Sequence, residues 1–131
     1  MSDVIVMHSK RAFGATMQAL KDSIERHGLT LFAQIDHSGG ARSVGMELAE
    51  EQLLVFGNPR GGTPLMQSDP RVGIELPLRM LLWQEGERTL LGYEDPRALD
   101  ERFSLAGAEQ ALEQLSTLLA TLVEEAASGE T

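Results

Sequence analysis

A tight turn at Glu85-Gly86 constrains the fold of this chain more than any other feature of its sequence. The apolar arm 74–83 precedes the turn, and a second apolar arm, 88–93, follows it. Two strands joined by so short a loop must lie antiparallel, because a parallel pair needs a crossover of a dozen or more residues. Pro77 has no N–H for a sheet ladder, which places the first arm at an edge or a bulge. The sequence therefore predicts an antiparallel sheet.

Hydrophobic periodicity predicts three more strands and two long helices. The strands are expected at 3–7, 29–36 and 50–56, where apolar residues alternate or run together. The helices are expected at about 9–27, capped by Ser9, and at 107–127, because apolar residues recur three and four positions apart. An antiparallel sheet with helices packed on one face buries all these apolar stripes. The fold class is therefore α+β.

Composition excludes several classes of partner and site. The net charge of −9 argues against nucleic acid and anionic membranes as partners, since both reward clustered Lys and Arg. No stretch approaches the ~20 apolar residues of a membrane span, and the N-terminus lacks the features of a signal peptide. Cysteine is absent, which excludes disulfides. We expect a cytoplasmic protein with one domain at 1–127 and a disordered tail at 128–131.

The segment from Phe56 to Met66 is the strongest candidate for a functional site. It joins a predicted strand to a predicted helix and contains three glycines and two prolines. Glycine permits close backbone approach and proline fixes φ, so this is a shaped loop of the kind that often carries binding residues. We expect Thr63 to cap the helix and Pro64 to be its first residue. Free amides there, with Arg60 nearby, would suit an anion.

Nucleotide-binding motifs do not explain this segment. Gly57 and Gly62 have the spacing of a P-loop, but Thr63 and Pro64 stand where that motif needs Lys and Ser or Thr. A rigid structural turn would use the same residue types, and it remains the alternative. The residues expected to form one wall of a small-ligand or anion pocket are Gly57, Asn58, Arg60, Gly62 and Thr63.

Asp36, His37 and Tyr93 are looser candidates for the other walls of this pocket. An acid beside a histidine can set its tautomer and raise its basicity, so an enzyme that uses this pair is a third possibility. Tyr93 precedes Asp95-Pro96, which is a good cap and first residue for a short helix. The three histidines do not have the spacing of zinc ligands. We expect no metal, no cofactor and no catalytic residue.

Three motifs resemble the signatures of domain-of-unknown-function family 302. They are Phe56-Gly-Asn-Pro59 followed by Gly62-Thr-Pro-Leu-Met66, then Leu76-Pro-Leu-Arg-Met-Leu-Leu-Trp83, and finally Tyr93-Glu-Asp-Pro96. The Asp36-His37 turn also resembles the family's pattern. The resemblance implies a curved antiparallel sheet with helices on one face, of the TATA-box-binding-protein type, often seen as a homodimer. It implies no activity, and the fold type brings no DNA binding with it.

The apolar arm 76–83 also predicts a homodimer. Both of its faces are mostly apolar, and the helices can cover only one of them, which leaves Leu81 and Trp83 for a partner. The function we expect is a small-ligand or anion binding module. The alternatives are a structural or protein-interaction domain without a ligand and, third, an enzyme that uses the Asp36-His37 pair.

Overall fold

The computed structural model describes residues 4–129 and builds them around a five-stranded sheet. The strands are β1 (Val4–His8), β2 (Thr30–Asp36), β3 (Glu51–Gly57), β4 (Leu78–Glu85) and β5 (Arg88–Glu94). The α-helices are α1 (Phe13–Arg26), α2 (His37–Ser43), α3 (Pro59–Ser68) and α4 (Glu109–Ala127), and 3-10 helices span Pro70–Glu75 and Pro96–Glu101. The strand order is β1-β5-β4-β3-β2, and every neighbouring pair is antiparallel. The predicted α+β class is confirmed.

The β4–β5 hairpin turns one residue later than predicted. Glu85 pairs with Arg88, so the two loop residues are Gly86 and Glu87. Gly86 has a φ of +60°. A two-residue loop needs a positive φ at its first position to match the twist of the strands, and glycine adopts that φ without strain.

Pro77 precedes β4, contrary to the prediction that it lies within a strand. The chain from Pro70 to Glu75 is a 3-10 helix, the Leu76-Pro77 bond is cis, and β4 begins at Leu78. The missing N–H of Pro77 therefore falls outside the ladder and interrupts nothing. The strand β4 is central, between β3 and β5, and Pro77 lies outside it, so the expectation that Pro77 marks an edge strand or a bulge was wrong.

One face of the sheet packs against α1 and α4, as predicted. Alternate residues of the three central strands form this inner face, because side chains alternate between the two faces of a strand. The sheet contributes Leu54, Phe56, Met80, Leu82, Leu91 and Tyr93. The helices contribute Met17, Leu20, Ile24, Leu119, Leu122 and Val123. These side chains form the main core.

A second core lies beside the sheet and holds α3 in place. It consists of buried residues from α3, the 3-10 helix Pro70–Glu75, the loop before α4 and the first turns of α4. They are Leu65, Val72, Leu105, Ala108, Leu112 and Leu115. The helix α4 therefore serves both cores, its first half packing on α3 and its second half on the sheet.

The boundaries of α1 and the two ends of the chain differ from the predicted boundaries or lie beyond the described residues. The first residue of α1 is Phe13, and Ser9 does not cap it; the buried Ser9 hydroxyl instead bonds that of Thr16, 2.6 Å away. Gly28 follows the helix with a φ of +74°, as its predicted role at the helix end requires. Asp3 of the first predicted strand and residues 130–131 of the predicted disordered tail lie outside the described residues. The single domain at 1–127 stays a prediction.

The main core predicts a large difference between two leucine truncations. Leu122 is fully buried between α4 and the sheet, whereas Leu48 is 44% exposed. Leu122→Ala should lower the free energy of unfolding by about 2–5 kcal/mol, since it removes buried methyl groups and leaves a cavity. Leu48→Ala should change it by at most about 0.5 kcal/mol. Urea unfolding followed by circular dichroism measures both, and equal losses would contradict this assignment of the core.

Candidate functional site

The helix that follows β3 begins earlier than predicted. Its N-cap is Asn58, whose Oδ1 accepts a hydrogen bond from the Arg60 amide at 2.8 Å, and Pro59 is its first residue. Asn and Pro are strongly favoured at these two positions, so the helix starts at the first pair that can cap it. Thr63 therefore lies inside α3 and does not cap it. Pro64 is also internal, and it offers no N–H to the carbonyl of Arg60.

The first turn of α3 does not present the free amides that an anion would need. The Arg60 amide bonds the Asn58 side chain, and the amides of Gly61 and Gly62 bond the Asn58 carbonyl at 3.0 and 3.3 Å. Pro59 has no N–H. These donors are already satisfied within the helix, so the expected anion site at this terminus is not supported by the geometry.

A cavity of about 430 Å³, which we call the join cavity, lies beside α3 at the place where the two cores meet. Four of the predicted residues line it: Gly57, Asn58, Gly62 and Thr63. Arg60 does not line it. The remaining walls come from β2, the segment before β4 and the middle of α4, and none of the sixteen lining residues is ionisable.

Glycines keep the backbone walls of this cavity close to their neighbours. A Cβ atom at Gly57 would lie 3.4 Å from Cβ of Pro77, and one at Gly62 would lie 3.4 Å from Cδ1 of Leu76. At Gly61 the corresponding distance to Cδ2 of Leu115 is 3.0 Å, which is closer than a side chain tolerates without movement. The glycine-rich sequence is therefore explained by the close approach of the end of β3 and of α3 to the segment before β4 and to α4.

Phe32 also lines the cavity, although it is not among the site residues expected from the sequence. The register of β2 against β3 shifts between Leu31 and Ala33, which marks a bulge at Phe32. Bulges redirect side chains, and this one places Cε2 of Phe32 3.8 Å from the Cβ position of Gly57. The available signal was a phenylalanine on the otherwise polar face of the predicted strand, beside Thr30 and Gln34.

Asp36 and His37 lie at the opposite end of the β2–β3 pair and do not line this cavity. Thr30 pairs with Gly57, whereas Asp36 pairs with Gln52, five residues or about 16 Å along β3. Asp36 caps α2 by accepting hydrogen bonds from the Ser38 hydroxyl at 2.7 Å and the Gly39 amide at 2.9 Å. The bond from Ser38, followed by that from Gly39, lowers the pKa of the Asp36 carboxyl group. The carboxylate thus serves a helix cap.

Tyr93 lies in the main core and is also outside the join cavity. It is 5% exposed, on the inner face of β5, and burial raises the pKa of its hydroxyl group. It borders a second, smaller cavity of about 270 Å³ that Asp95 also lines. The structure therefore brings together Gly57, Asn58, Gly62 and Thr63, and separates Tyr93 from them.

Asp69 holds the wall of the join cavity that contains Gly73 and Leu76. Its carboxylate is 6% exposed and caps the 3-10 helix Pro70–Glu75. It accepts the Arg71 amide at 3.1 Å, the Arg71 guanidinium at 3.0 and 2.8 Å, and the Ser104 amide at 2.9 Å. The side-chain hydrogen bonds from Arg71, followed by that from the Ser104 amide, hold the pKa of Asp69 far below its ordinary value of 3.8. This residue positions the wall and does not contact the cavity.

Asp69 should make stability depend on pH in the acidic range. Its pKa is lowered by folding, so its contribution is complete above an unfolded pKa near 4 and is lost as pH falls towards the folded value. Asp69→Asn should unfold at a lower urea concentration than the natural chain at pH 7, and the difference should narrow below about pH 4. The exposed Asp100 provides a control with the same charge change, Asp100→Asn. A difference that stays constant from pH 7 to pH 3 would refute this role.

The fold and this cavity define a small α+β domain with a solvent-open site that no ionisable side chain lines. Within residues 4–129, no group of three or more His, Cys, Asp or Glu side chains is placed to hold a metal ion. Over the same residues, no helix combines the length and apolarity needed to cross a membrane. The chain belongs to the family described as domain of unknown function DUF302, whose model matches residues 5–122.

A solved structure and two curated relatives extend this comparison. The crystal structure of an uncharacterized conserved protein DUF302 from Bacillus stearothermophilus matches 96% of this chain and 99% of its own, with a TM-score of 0.87 at 16% identity. Proteins named fluoride-specific ion channel FluC 1, from Brucella suis and Brucella abortus, are each 31% identical over 128 residues. The chain spans about half the length of these relatives, 50% and 47% respectively. The structural likeness shows the fold.

Proposed function

We propose that this domain is a small-molecule binding module whose ligand is neutral and largely apolar. The observation that carries the proposal is the cavity of about 430 Å³, which no ionisable side chain lines. Ligand cavities in proteins commonly have volumes of about 300–1,000 Å³, apolar walls and a few polar groups. Here the polar side chains are those of Asn58, Thr63 and Gln114. The size and chemistry of the cavity both fit a small uncharged metabolite.

The lining of the cavity argues against a charged ligand. An ion that enters an apolar site without a partner loses its hydration, at a cost of several kcal/mol or more. The amides at the start of α3 cannot offset that cost, because they are bonded to Asn58. The net charge of −9 opposes anions in addition. Of the two ligand classes expected from the sequence, a small ligand or an anion, we therefore propose the small ligand, and a neutral one.

Two other expectations bear on this proposal. The enzyme alternative gains no support from the geometry, since the Asp36 carboxylate bonds Ser38 and Gly39. The two Brucella relatives are named as fluoride-specific ion channels, but this chain matches only about half the length of each. We propose that the matched half is a binding module and that the named channel activity does not extend to this chain. We also propose that this chain acts in the cytoplasm.

Filling the cavity should weaken binding without unfolding the domain. The side chain in Gly62→Leu would project between Leu76 and Met66, and should weaken binding about tenfold or more by overpacking. The matched control is Gly14→Leu, in the exposed part of α1, where a Cβ atom meets nothing within 4 Å. Leucine favours helices over glycine, so neither change should disrupt its helix.

Thermal unfolding across a panel of neutral and charged metabolites is the measurement. A ligand present at 100 times its Kd should raise the free energy of unfolding by about 2.7 kcal/mol. Neutral compounds should stabilise the natural chain and Gly14→Leu by this amount, whereas the gain for Gly62→Leu should be about 1.4 kcal/mol or smaller. A panel in which no neutral compound stabilises the natural chain would overturn the proposed function.

The second candidate function is protein interaction through the outer face of the sheet, in the form of a homodimer. We define the outer face as Val4, Val6, Ile35, Leu53, Val55, Leu81 and Trp83, which point away from α1 and α4 by strand alternation. Val4 and Val6, on the edge strand β1, are 52% and 51% exposed, and Ile35 is 42% exposed. Contiguous exposed apolar surface of this kind commonly marks an interface.

A homodimer through the outer face should dissociate when a charge is placed on it. Val6→Lys should reduce a mass of twice 14.3 kDa to 14.3 kDa in sedimentation experiments at micromolar concentration. The control Ala15→Lys adds the same charge to the exposed side of α1 and should leave the dimer intact. A natural chain that sediments at 14.3 kDa at every concentration would exclude the homodimer.

A further inference from the structure

We infer that the join cavity selects a ligand that contains a flat aromatic ring, and that Phe32 confers this selectivity. The inference rests on the proposed function, because it names the ligand class of the same cavity. Three features of the cavity support it: the position of Phe32, the presence of Met66, and the polar side chains among the lining residues.

The position of Phe32 is the first feature. The β-bulge between Leu31 and Ala33 directs the ring onto the cavity, where it lies 3.8 Å from the Cβ position of Gly57. The side chain is nevertheless 55% exposed. A large apolar ring held at a cavity and left half in water gains burial when a ligand covers it. A ring in the ligand would add the favourable edge-to-face or offset-stacked contact between aromatic groups.

Met66 is the second feature. It lines the same cavity and is 38% exposed. The thioether sulfur of a methionine makes favourable contacts with the edge of an aromatic ring, and a saturated ring offers no such edge. Met66 therefore adds to the preference that Phe32 gives the cavity for an aromatic ligand.

The polar side chains are the third feature. Both polar groups of Asn58 are engaged, with the Arg60 amide and with the Gly28 carbonyl. Thr63 and Gln114 line the cavity and are exposed to solvent. Their hydroxyl and amide groups can exchange water for one polar substituent of a ligand. The ligand class is therefore a neutral ring compound with a hydroxyl or amide substituent.

A matched pair of alcohols tests the preference for a ring. The probes are 2-naphthalenemethanol and its fully saturated decahydro counterpart, which share the hydroxyl group and the carbon skeleton. Calorimetric titration of the natural chain should show the aromatic alcohol binding about 3- to 10-fold more tightly, as expected for one or two aromatic contacts. Equal affinities would overturn the preference for a ring while the proposed function stands. Failure of both alcohols, together with a metabolite panel that stabilises nothing, would overturn both.

Variants of Phe32 test its role separately from the cavity. Phe32→Leu should bind both alcohols with nearly equal affinity, and Phe32→Tyr should keep the preference for the aromatic one, since it retains the ring. Phe13→Leu, at the start of α1 and away from the cavity, removes a ring elsewhere and is the control, so it should behave as the natural chain does. An undiminished preference in Phe32→Leu would show that another residue confers the selectivity.

Discussion

The packing of α4 against two cores is the constraint on which the rest of this structure depends. Leu119 and Leu122 in its second half pack on the sheet, and Leu112 and Leu115 in its first half pack on α3 and the neighbouring 3-10 helix. One rigid helix cannot fill both cores and the space between them, because its side chains project from fixed positions. The join cavity lies in that space, with Leu115 and Leu118 among its walls.

The same capping interaction starts three of the helical segments. Asn58, Asp69 and Asp95 each precede a proline, and each accepts a hydrogen bond from the backbone amide of an arginine two residues later. In the two aspartates the arginine side chain also returns to the carboxylate, at 2.8 Å for Asp69 and 2.7 Å for Asp95. Asn58 carries no charge, so Arg60 lacks the electrostatic attraction that pairs Arg71 with Asp69 and Arg97 with Asp95. An Asn or Asp side chain thus caps each of the three helices, and the two aspartates in addition form a salt bridge with the arginine two residues later.

Much of the fold could be predicted because its signals are local. The Gly86 turn, the alternation of β2 and the stripe of α4 each depend on residues close together in sequence, and they fixed the class, the antiparallel pairing and the helix-covered face. The errors were boundaries and neighbours. The sequence places Pro77 in an edge or bulged strand, whereas it precedes the central strand, and it favours Thr63 as the cap that Asn58 provides. Asn58-Pro59 and Thr63-Pro64 both suit a helix start, and the start of β4 relative to Pro77 depends on strand pairing, so neither position could be settled from local sequence.

By itself the sequence determined which residues could form each element. It also determined that the segment after β3 is rich in glycine and proline and therefore has a restricted backbone shape. Tertiary structure alone decided that Gly57 and Gly62 border a cavity, that Phe32 joins them, and that Asp36 lies about 16 Å away. The physical reason is that element formation depends on local backbone preference and side-chain periodicity. A cavity depends instead on the register of one strand against another and on where the packing of two neighbouring cores leaves a space. Those quantities belong to contacts between residues far apart in the chain.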